Sequence, residues 1–337
     1  MMRDTGDITQ SRGDHHSAPT ESFGILDAAP GSPMPLTPHS HLLGLSMPRT
    51  PSLLLLFALL MLAGLSGAAR SQDVDITADV VYGHKDGLAM TFDVFTPREG
   101  ANGAAVLFIV SGAWYSQWSP PEQMKPFTAP LTTRGFTVFT VRHGSRPKYS
   151  LPEAVADVRR SVRYIRANAD RFKIDANRLG VYGVSAGGHL SLMLGTTADE
   201  GKSDDKDLVL RTSDRVQAVV AFVAPTDLTV MVKESPNRLP AYDRLPSLNL
   251  EMAEAQAISP LLHVSPDDAP TLLLAGAKDD LVPIEQNRSL QKAFDEQNVA
   301  NKFVEYPDAG HGFGPKDLEL AVGEMVGWFE QHLAKPQ

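Results

Sequence analysis

The segment 179–196 constrains the fold of this chain more than any other part of the sequence. It reads LGVYGVSAGGHLSLMLGT. The apolar run Leu179–Tyr182 has the length of a buried strand and ends at Gly183. Beyond it, apolar side chains recur at helical spacing, at Leu190, Met193 and Leu194. The pattern therefore predicts a strand and a helix that are joined by a sharp turn at Ser185.

The turn has the form Gly183-x-Ser185-x-Gly187. Glycine at both positions allows the strand and the helix to approach closely, because no Cβ stands between them. Such a turn strains the serine, exposes its hydroxyl and directs N–H groups of the helix N-terminus toward developing negative charge. The pattern predicts a nucleophile. A glycine-rich connection in another α/β fold is the alternative, and the rest of the chain must decide between them.

Composition excludes several classes of protein. The 337 residues are 42% hydrophobic and 21% charged, which is ordinary for a globular protein with a full core. Cysteine is absent from the sequence, so disulfides and thiolate metal sites are excluded. The net charge of −9 provides no basic field for phosphate backbones, and we predict no nucleic-acid partner.

The N-terminal 71 residues predict two segments ahead of the folded domain. Residues 1–46 are rich in Pro, Gly, Ser, His and Asp without periodicity, which predicts a disordered extension. Residues 47–71 contain a basic residue, an apolar stretch and then small residues, and this order predicts a signal peptide, a secreted or periplasmic protein and no stable membrane span. An uncleaved anchor or a buried helix is the alternative.

A signal peptide normally begins a protein, so we expect Met47 to be the true start and residues 1–46 to lie upstream of it. Mass spectrometry of the natural N-terminus tests this expectation. Cleavage between Ala68 and Ser71 would support it, whereas peptides from residues 1–46 in the mature protein would contradict it.

Residues 72–337 predict one catalytic domain of the α/β class. An antiparallel hairpin comes first, at 76–82 and 88–95, with Asp86-Gly87 in its turn. Apolar runs then predict strands at 104–110, 136–141, 216–222, 271–275 and 302–306. Helical patterns occur at 122–133, after Ser150, at 284–297 and at 318–333. The alternation predicts a mostly parallel central sheet with antiparallel N-terminal strands and helices on both faces. Residues 228–256 fit it poorly and predict a small excursion over the strand ends.

A nucleophilic serine needs a histidine to accept its proton. Four histidines follow Ser185 in the chain, at positions 189, 263, 311 and 332. His311 lies between Gly310 and Gly312, after the last predicted strand and before the last helix. The glycines allow this loop to bring an imidazole over the strand ends. We therefore predict that His311 is the base.

The histidine in turn needs a carboxylate that fixes its tautomer. Asp279 is the first candidate and Asp280 the second, because both follow the predicted strand 271–275 and precede a helix. Asp227 is the third, since it follows the preceding strand. A loop hydrogen bond or a helix N-cap is the favoured interpretation of Asp227.

Three motifs occur together in this order: GVSAGG at 183–188, Gly276-x-x-Asp279-x-x-Val282-Pro283, and Gly310-His311-Gly312-Phe313. With them, residues 74–333 resemble the α/β-hydrolase superfamily and, within it, bacterial carboxylesterases similar to hormone-sensitive-lipase, acetylxylan and feruloyl esterases. The resemblance implies Ser185 as nucleophile, His311 as general base and then acid, and Asp279 as orienting carboxylate. It implies neither a metal nor an organic cofactor.

The oxyanion loop departs from the family pattern. The family usually has His-Gly-Gly-Gly-Trp, whereas residues 110–114 read VSGAW. Because such a site uses backbone N–H groups, we predict that Gly112 or Ala113 acts together with Ala186. Aromatic residues near these loops predict a substrate pocket, with core packing as the alternative; they are Trp114, Tyr115 and Phe313, and also Trp118.

The predicted reaction is acyl transfer from a small-molecule or carbohydrate-linked carboxylic ester, and the resemblance suggests acetyl or feruloyl side-chain esters of polysaccharides. A serine peptidase similar to prolyl oligopeptidase is one alternative. Such enzymes normally carry a propeller domain, for which the residues before Val74 are too few. A non-catalytic ligand-binding module is another, but such modules typically lose one of the three catalytic residues.

Overall fold

The computed structural model of the protein describes residues 73–335. The predictions for residues 1–46 and 47–71 lie outside the described residues. Eight strands form one sheet: β1 (Val74–Lys85), β2 (Leu88–Pro97), β3 (Ala105–Ile109), β4 (Thr137–Val141), β5 (Leu179–Val184), β6 (Ala218–Phe222), β7 (Thr271–Gly276) and β8 (Asn301–Tyr306). Their order across the sheet is β1-β2-β4-β3-β5-β6-β7-β8.

The sheet begins antiparallel and continues parallel. β1 and β2 form a hairpin, and β2 also pairs antiparallel with β4. The hairpin turn holds Asp86 and Gly87 at φ values of 50° and 78°, which Asp-Gly accepts readily. Every pair from β4 to β8 is parallel. The predicted mostly parallel sheet with antiparallel N-terminal strands is confirmed.

Helices cover both faces of the sheet. The α-helices are α1 (Lys125–Thr132), α2 (Leu151–Ala167), α3 (Ala169–Phe172), α4 (Ala186–Thr196), α5 (Met252–Ala257), α6 (Glu285–Glu296) and α7 (Pro315–His332). Apolar residues of α2, α4 and α6 belong to one buried cluster. Those of α1 and α7 belong to a second cluster, on the other face. Each face of the sheet is thus a separate part of the core.

Local signals in the sequence explain several helix boundaries. Ser150 and Glu153 form a capping box at the start of α2, with Pro152 in the first turn. The helix predicted at 122–133 instead begins with a 3₁₀ turn, Pro121–Met124, and becomes α-helical at Lys125.

The strand predicted to end at Gly183 continues to Val184, and this prediction was wrong. Gly183 pairs with Ala221 of β6. A glycine is needed at position 183 because the following helix lies close to it, and not because the strand ends there.

The segment between β6 and β7 contacts the loops at the carboxyl ends of the strands. It contains the 3₁₀ helices Pro240–Arg244 and Pro246–Leu248 and all of α5. The Tyr242 hydroxyl donates to Leu281 O, after β7, at 2.9 Å. Ser247 Oγ donates to Ala113 O, after β3, at 3.1 Å. Within residues 73–335, no helix combines the length and the apolar character needed to cross a bilayer.

A buried ion pair joins the antiparallel strands to the end of β4. Asp93 is fully buried, and Arg142 Nη1 donates to its Oδ2 at 2.6 Å. Asp93 also accepts hydrogen bonds from Asp79 N and Thr140 Oγ1. Because His143 follows Arg142 directly, this pair fixes the backbone where the chain leaves β4 for the candidate site.

We predict that Asp93→Ala destabilises the protein by about 3–5 kcal/mol, because it leaves the guanidinium of Arg142 largely buried without its main partner. Urea unfolding measures the loss. Asp75→Ala is the matched control, because Asp75 pairs with Arg98 on the exposed surface, where an ion pair contributes little. Equal effects of the two substitutions would contradict the assignment.

Candidate active site

The site is organised around the turn between β5 and α4. Ser185 has φ 54° and ψ −118°, a conformation that is strained for any residue with a side chain. Its N–H donates to Phe222 O of the neighbouring β6 at 2.8 Å, which holds the backbone in place. Its side chain does not cap α4. The hydroxyl is therefore available for another partner.

The glycines on either side of Ser185 are required by close backbone contacts. A Cβ on Gly183 would lie 2.2 Å from the carbonyl carbon of Gly187. A Cβ on Gly187 would lie 2.5 Å from the carbonyl oxygen of Ile109, at the end of β3. The second contact also brings the end of β3 next to the N-terminus of α4. The two glycines of the GxSxG pattern are thus required because β3, β5 and α4 pack closely together at this point.

His311 lies beside the hydroxyl of Ser185. Its Nε2 is 2.9 Å from Ser185 Oγ, and its Nδ1 is 2.8 Å from Asp279 Oδ2. A carboxylate only accepts, so Nδ1 carries the proton that is donated to Asp279. Nε2 is then the acceptor for the Ser185 hydroxyl. These contacts form one continuous chain from Ser185 through His311 to Asp279.

Both oxygens of Asp279 are used. Oδ1 accepts from the N–H groups of Leu281 and Val282, at 2.9 and 2.8 Å. The Asp279 side chain is 1% exposed and that of His311 is 12% exposed. Asp279 is thus locked in place by its own loop, while one edge of the imidazole remains accessible.

The other candidate partners lie elsewhere. Asp280 is exposed, and Asp227 Oδ1 accepts from the backbone and side chain of Thr229. Asp227 therefore has the loop role that was its alternative interpretation. The His332 ring lies against Trp328 in α7, tilted by 44° with the ring centroids 4.1 Å apart. His263 Nε2 contacts the carbonyl oxygens of Gln256 and Ala257. Of the four histidines considered as the base, only His311 brings its imidazole to Ser185.

The loop after β3 contains a tight turn. Gly112 and Tyr115 exchange two backbone hydrogen bonds, of 3.0 and 2.9 Å, and the two residues between them, Ala113 and Trp114, have φ values of 50° and 60°. The N–H of Gly112 is thus already donated to Tyr115 O, and the prediction that Gly112 is an oxyanion donor is wrong. Among the hydrogen bonds of residues 73–335, none uses the N–H groups of Ala113 or Ala186, and their role remains a prediction.

Two of the three predicted pocket residues pack in the core. Trp114 is 3% exposed, and its Nε1–H donates to His189 Nδ1 at 3.1 Å. Phe313 is also buried, with its ring centroid 4.7 Å from that of Tyr306. Neither presents an open face, so the pocket prediction for these two residues was wrong. Tyr115 is half-buried and Trp118 is exposed.

Sequence reasoning missed the polar pairs that hold the loop after β3. His143 Nε2 lies 2.9 Å from Ser111 Oγ, and His189 contacts Trp114. The sequence feature that could have indicated these pairs is the presence of His143 after β4 and His189 in α4, two histidines that the predicted mechanism does not use. In the described part of the chain, no cluster of histidine and carboxylate side chains is arranged to hold a metal ion.

The sequence profile of the BD-FAE family matches residues 92–294, which is more than half of the 337 residues. The chain belongs to the BD-FAE family. The BD-FAE match contains Ser185 and Asp279, whereas His311 lies beyond its end.

A mycobacterial esterase is similar over most of this chain. The protein named Esterase LipC of Mycobacterium tuberculosis is 28% identical over 258 residues, which cover 73% of this chain and 62% of LipC. The chain thus spans less than two thirds of that relative.

Two solved structures share the fold. A truncated form of a carbohydrate esterase from gut microbiota is 24% identical with a TM-score of 0.65, covering 79% of this chain and 99% of its own. An acetyl ester-xyloside bifunctional hydrolase from Caldicellulosiruptor lactoaceticus is 21% identical with a TM-score of 0.65, covering 79% of this chain and 98% of its own. The α/β-hydrolase fold predicted for this BD-FAE chain is confirmed.

We predict that Gly183→Ala severely destabilises this BD-FAE domain, because the new Cβ would overlap backbone atoms of α4 that cannot move without displacing the helix. Thermal unfolding measures the effect. Gly323→Ala is the matched control, because a Cβ at Gly323 in α7 meets nothing within 4 Å, and alanine favours a helix. Similar unfolding midpoints for the two variants would contradict the close packing described here.

Proposed function

We propose that the protein is a carboxylic ester hydrolase that works through an acyl-enzyme on Ser185, with His311 as general base and acid and Asp279 as orienting carboxylate. The observation that carries this proposal is the continuous hydrogen-bond chain from Ser185 Oγ through the imidazole to the buried carboxylate. A serine hydroxyl alone is a weak nucleophile at neutral pH, and such a chain is what activates it.

In the first half of the reaction, Ser185 Oγ attacks the ester carbonyl carbon while its proton moves to His311 Nε2. The carbonyl π bond opens, and negative charge develops on the carbonyl oxygen. The imidazole becomes positively charged, and Asp279, which accepts the Nδ1 hydrogen bond, stabilises that charge. Collapse of the tetrahedral intermediate breaks the bond to the alcohol oxygen, which takes the proton from Nε2 and leaves as the alcohol.

The developing oxyanion needs donors that are fixed before the reaction. The N–H of Ala186, at the start of α4, and the N–H of Ala113 are assigned this role. Water then attacks the acyl-enzyme, giving its proton to His311 Nε2. Collapse of the second intermediate releases the carboxylic acid and returns the proton to Ser185 Oγ. No step requires a group other than side chains, backbone N–H groups and water.

Carbohydrate-linked esters, with acetyl or feruloyl groups, are the substrate class that we propose. The support is the description of the two structural relatives as a carbohydrate esterase and an acetyl ester-xyloside hydrolase. The predicted signal peptide adds to it, because polymeric plant substrates lie outside the cell, and we propose that the protein acts there after export. Release of acetate from acetylated xylan and of ferulate from feruloylated sugars tests the class. Turnover of short nitrophenyl esters without either release would limit the proposal to small-molecule esters.

Ser185→Ala is expected to reduce kcat for a short-chain nitrophenyl ester by a factor on the order of 10⁴–10⁶, because no other group forms the acyl-enzyme. Stopped-flow measurement of the wild type should show a nitrophenol burst that the variant lacks. Unchanged turnover in the variant would refute the mechanism. Faster cleavage of an acyl-peptide than of any ester would favour the peptidase alternative.

Asp279→Asn is expected to lower kcat/KM by about 10⁴, because an amide can stabilise the wrong imidazole tautomer. Asp280→Asn is the matched control: it changes the neighbouring carboxyl in the same loop, but Asp280 is exposed and should leave kcat/KM unchanged. Steady-state kinetics on the same ester compare the two variants. A larger loss of kcat/KM in Asp280→Asn than in Asp279→Asn would show that Asp280, and not Asp279, is the orienting carboxylate.

A further inference from the structure

The loop that follows β3 has an unusual composition for its geometry. Its turn places Ala113 and Trp114 at positive φ, where residues with a Cβ are disfavoured. At position 113 the family pattern has glycine. Such a conformation persists only when surrounding contacts determine it. The contacts that determine it here are therefore important for where the Ala113 N–H points.

One contact lies just before the turn. His143 Nδ1 is 2.7 Å from Gly144 O, and a carbonyl oxygen only accepts, so Nδ1 carries the proton. His143 Nε2 is then an acceptor, and the Ser111 hydroxyl donates to it at 2.9 Å. His143 is 5% exposed. This bond ties the residue before Gly112 to the backbone that leaves β4.

A second contact lies within the turn. The Trp114 Nε1–H donates to His189 Nδ1, and His189 Nε2–H donates to Ile258 O at 2.7 Å. His189 is fully buried and belongs to α4, the helix that begins with Ala186. This bond ties the turn to the same helix that presents the other predicted oxyanion donor.

We propose that two buried neutral histidines, His143 and His189, act through Ser111 and Trp114 as positioning residues for the oxyanion turn. Two side-chain hydrogen bonds, one on each side of Ala113, hold the turn without the glycine that the family pattern has at position 113. The inference rests on the proposed ester-hydrolase function. It assigns a role to histidines that the acyl-transfer steps do not use.

The Ser111–His143 pair joins the same atoms as the Ser185–His311 pair, a serine Oγ and a histidine Nε2. The two pairs differ in the group to which the histidine Nδ1–H donates. Asp279 offers a carboxylate to His311, whereas His143 faces the neutral carbonyl of Gly144. A carbonyl dipole stabilises a charged imidazole far less than a carboxylate does. The Ser111–His143 pair is therefore suited to hold a position and not to move a proton.

Burial supports the same division of roles. Burial lowers the pKa of His143, against smaller opposing effects from Gly144 O and Asp157. Burial also lowers the pKa of His189 to about 4. Neutral imidazoles keep one donor and one acceptor each, which is the pattern that both pairs require.

Trp114→Phe tests the second contact with little change in packing, because it keeps an aromatic ring and removes the N–H. Trp328→Phe is the matched control, since Trp328 is a buried tryptophan whose Nε1 has no hydrogen-bond partner among the described residues. Ser111→Ala tests the first contact, with Ser119→Ala, which removes a hydroxyl without a hydrogen bond in the described part of the chain, as control. Ser111→Thr keeps the hydroxyl and should therefore retain the activity that Ser111→Ala loses.

The readouts are kcat per titrated active site, KM, the inhibition constant of a trifluoromethyl ketone and the unfolding midpoint. We expect Trp114→Phe and Ser111→Ala each to lower kcat by a factor on the order of 10–100, because a displaced oxyanion donor costs transition-state stabilisation. KM should change little. The ketone, which forms a tetrahedral oxyanion on the serine, should bind more weakly by the same factor as kcat/KM falls.

Variants that lose stability but keep the kcat and ketone affinity of their controls would overturn the positioning role and leave the pairs as structural contacts only. That failure is distinguishable from failure of the proposed function. A wild-type protein that neither hydrolyses esters nor binds the ketone would overturn both.

Discussion

The close approach of β5 to α4 determines the conformation of the turn at Ser185. Gly183 and Gly187 leave no room for a side chain between the strand and the helix, and Gly187 also packs against the carbonyl of Ile109. This packing forces the intervening Ser185 into a strained conformation with positive φ. The strain is maintained because the parallel neighbour β6 holds the Ser185 N–H. A single dense contact therefore sets the serine hydroxyl, the first N–H of α4 and the end of β3 at one edge of the sheet.

A parallel sheet brings the remaining groups to the same edge. Loops that follow parallel strands leave at the carboxyl ends, so residues far apart in the chain meet there. Ser185 follows β5, Asp279 follows β7 and His311 follows β8, and their side chains form one hydrogen-bond chain. The loop after β3 contains the Gly112–Tyr115 turn, and the loop after β4 contains His143, whose Nε2 accepts a hydrogen bond from Ser111 just before that turn. The antiparallel strands contribute indirectly, because Asp93 of β2 fixes Arg142 next to His143.

Periodicity and turn chemistry predicted most of the fold, because apolar runs and helical spacing report local structure directly. Ser185 and His311 were foreseeable because glycines mark the turns that present them. Asp279 could not be separated from Asp280 by sequence, since both occupy one loop and only the backbone path buries one of them. Gly112 was wrongly predicted as a donor because its partner, Tyr115, depends on a turn that Ala-Trp does not favour. Trp114 lies near the site in sequence, but long-range packing against His189 decides which way its ring faces.

In the proposed mechanism, Ser185 Oγ attacks the carbonyl carbon of the ester while the N–H groups of Ala113 and Ala186 donate to the carbonyl oxygen. A crystal structure of the protein after reaction with an organophosphate tests it most directly, because the adduct resembles the tetrahedral intermediate. We expect phosphorus bonded to Ser185 Oγ, with its unesterified oxygen about 3 Å from the backbone N atoms of both Ala113 and Ala186. An adduct on another residue would contradict this mechanism. So would an adduct on Ser185 whose unesterified phosphoryl oxygen points away from both N–H groups.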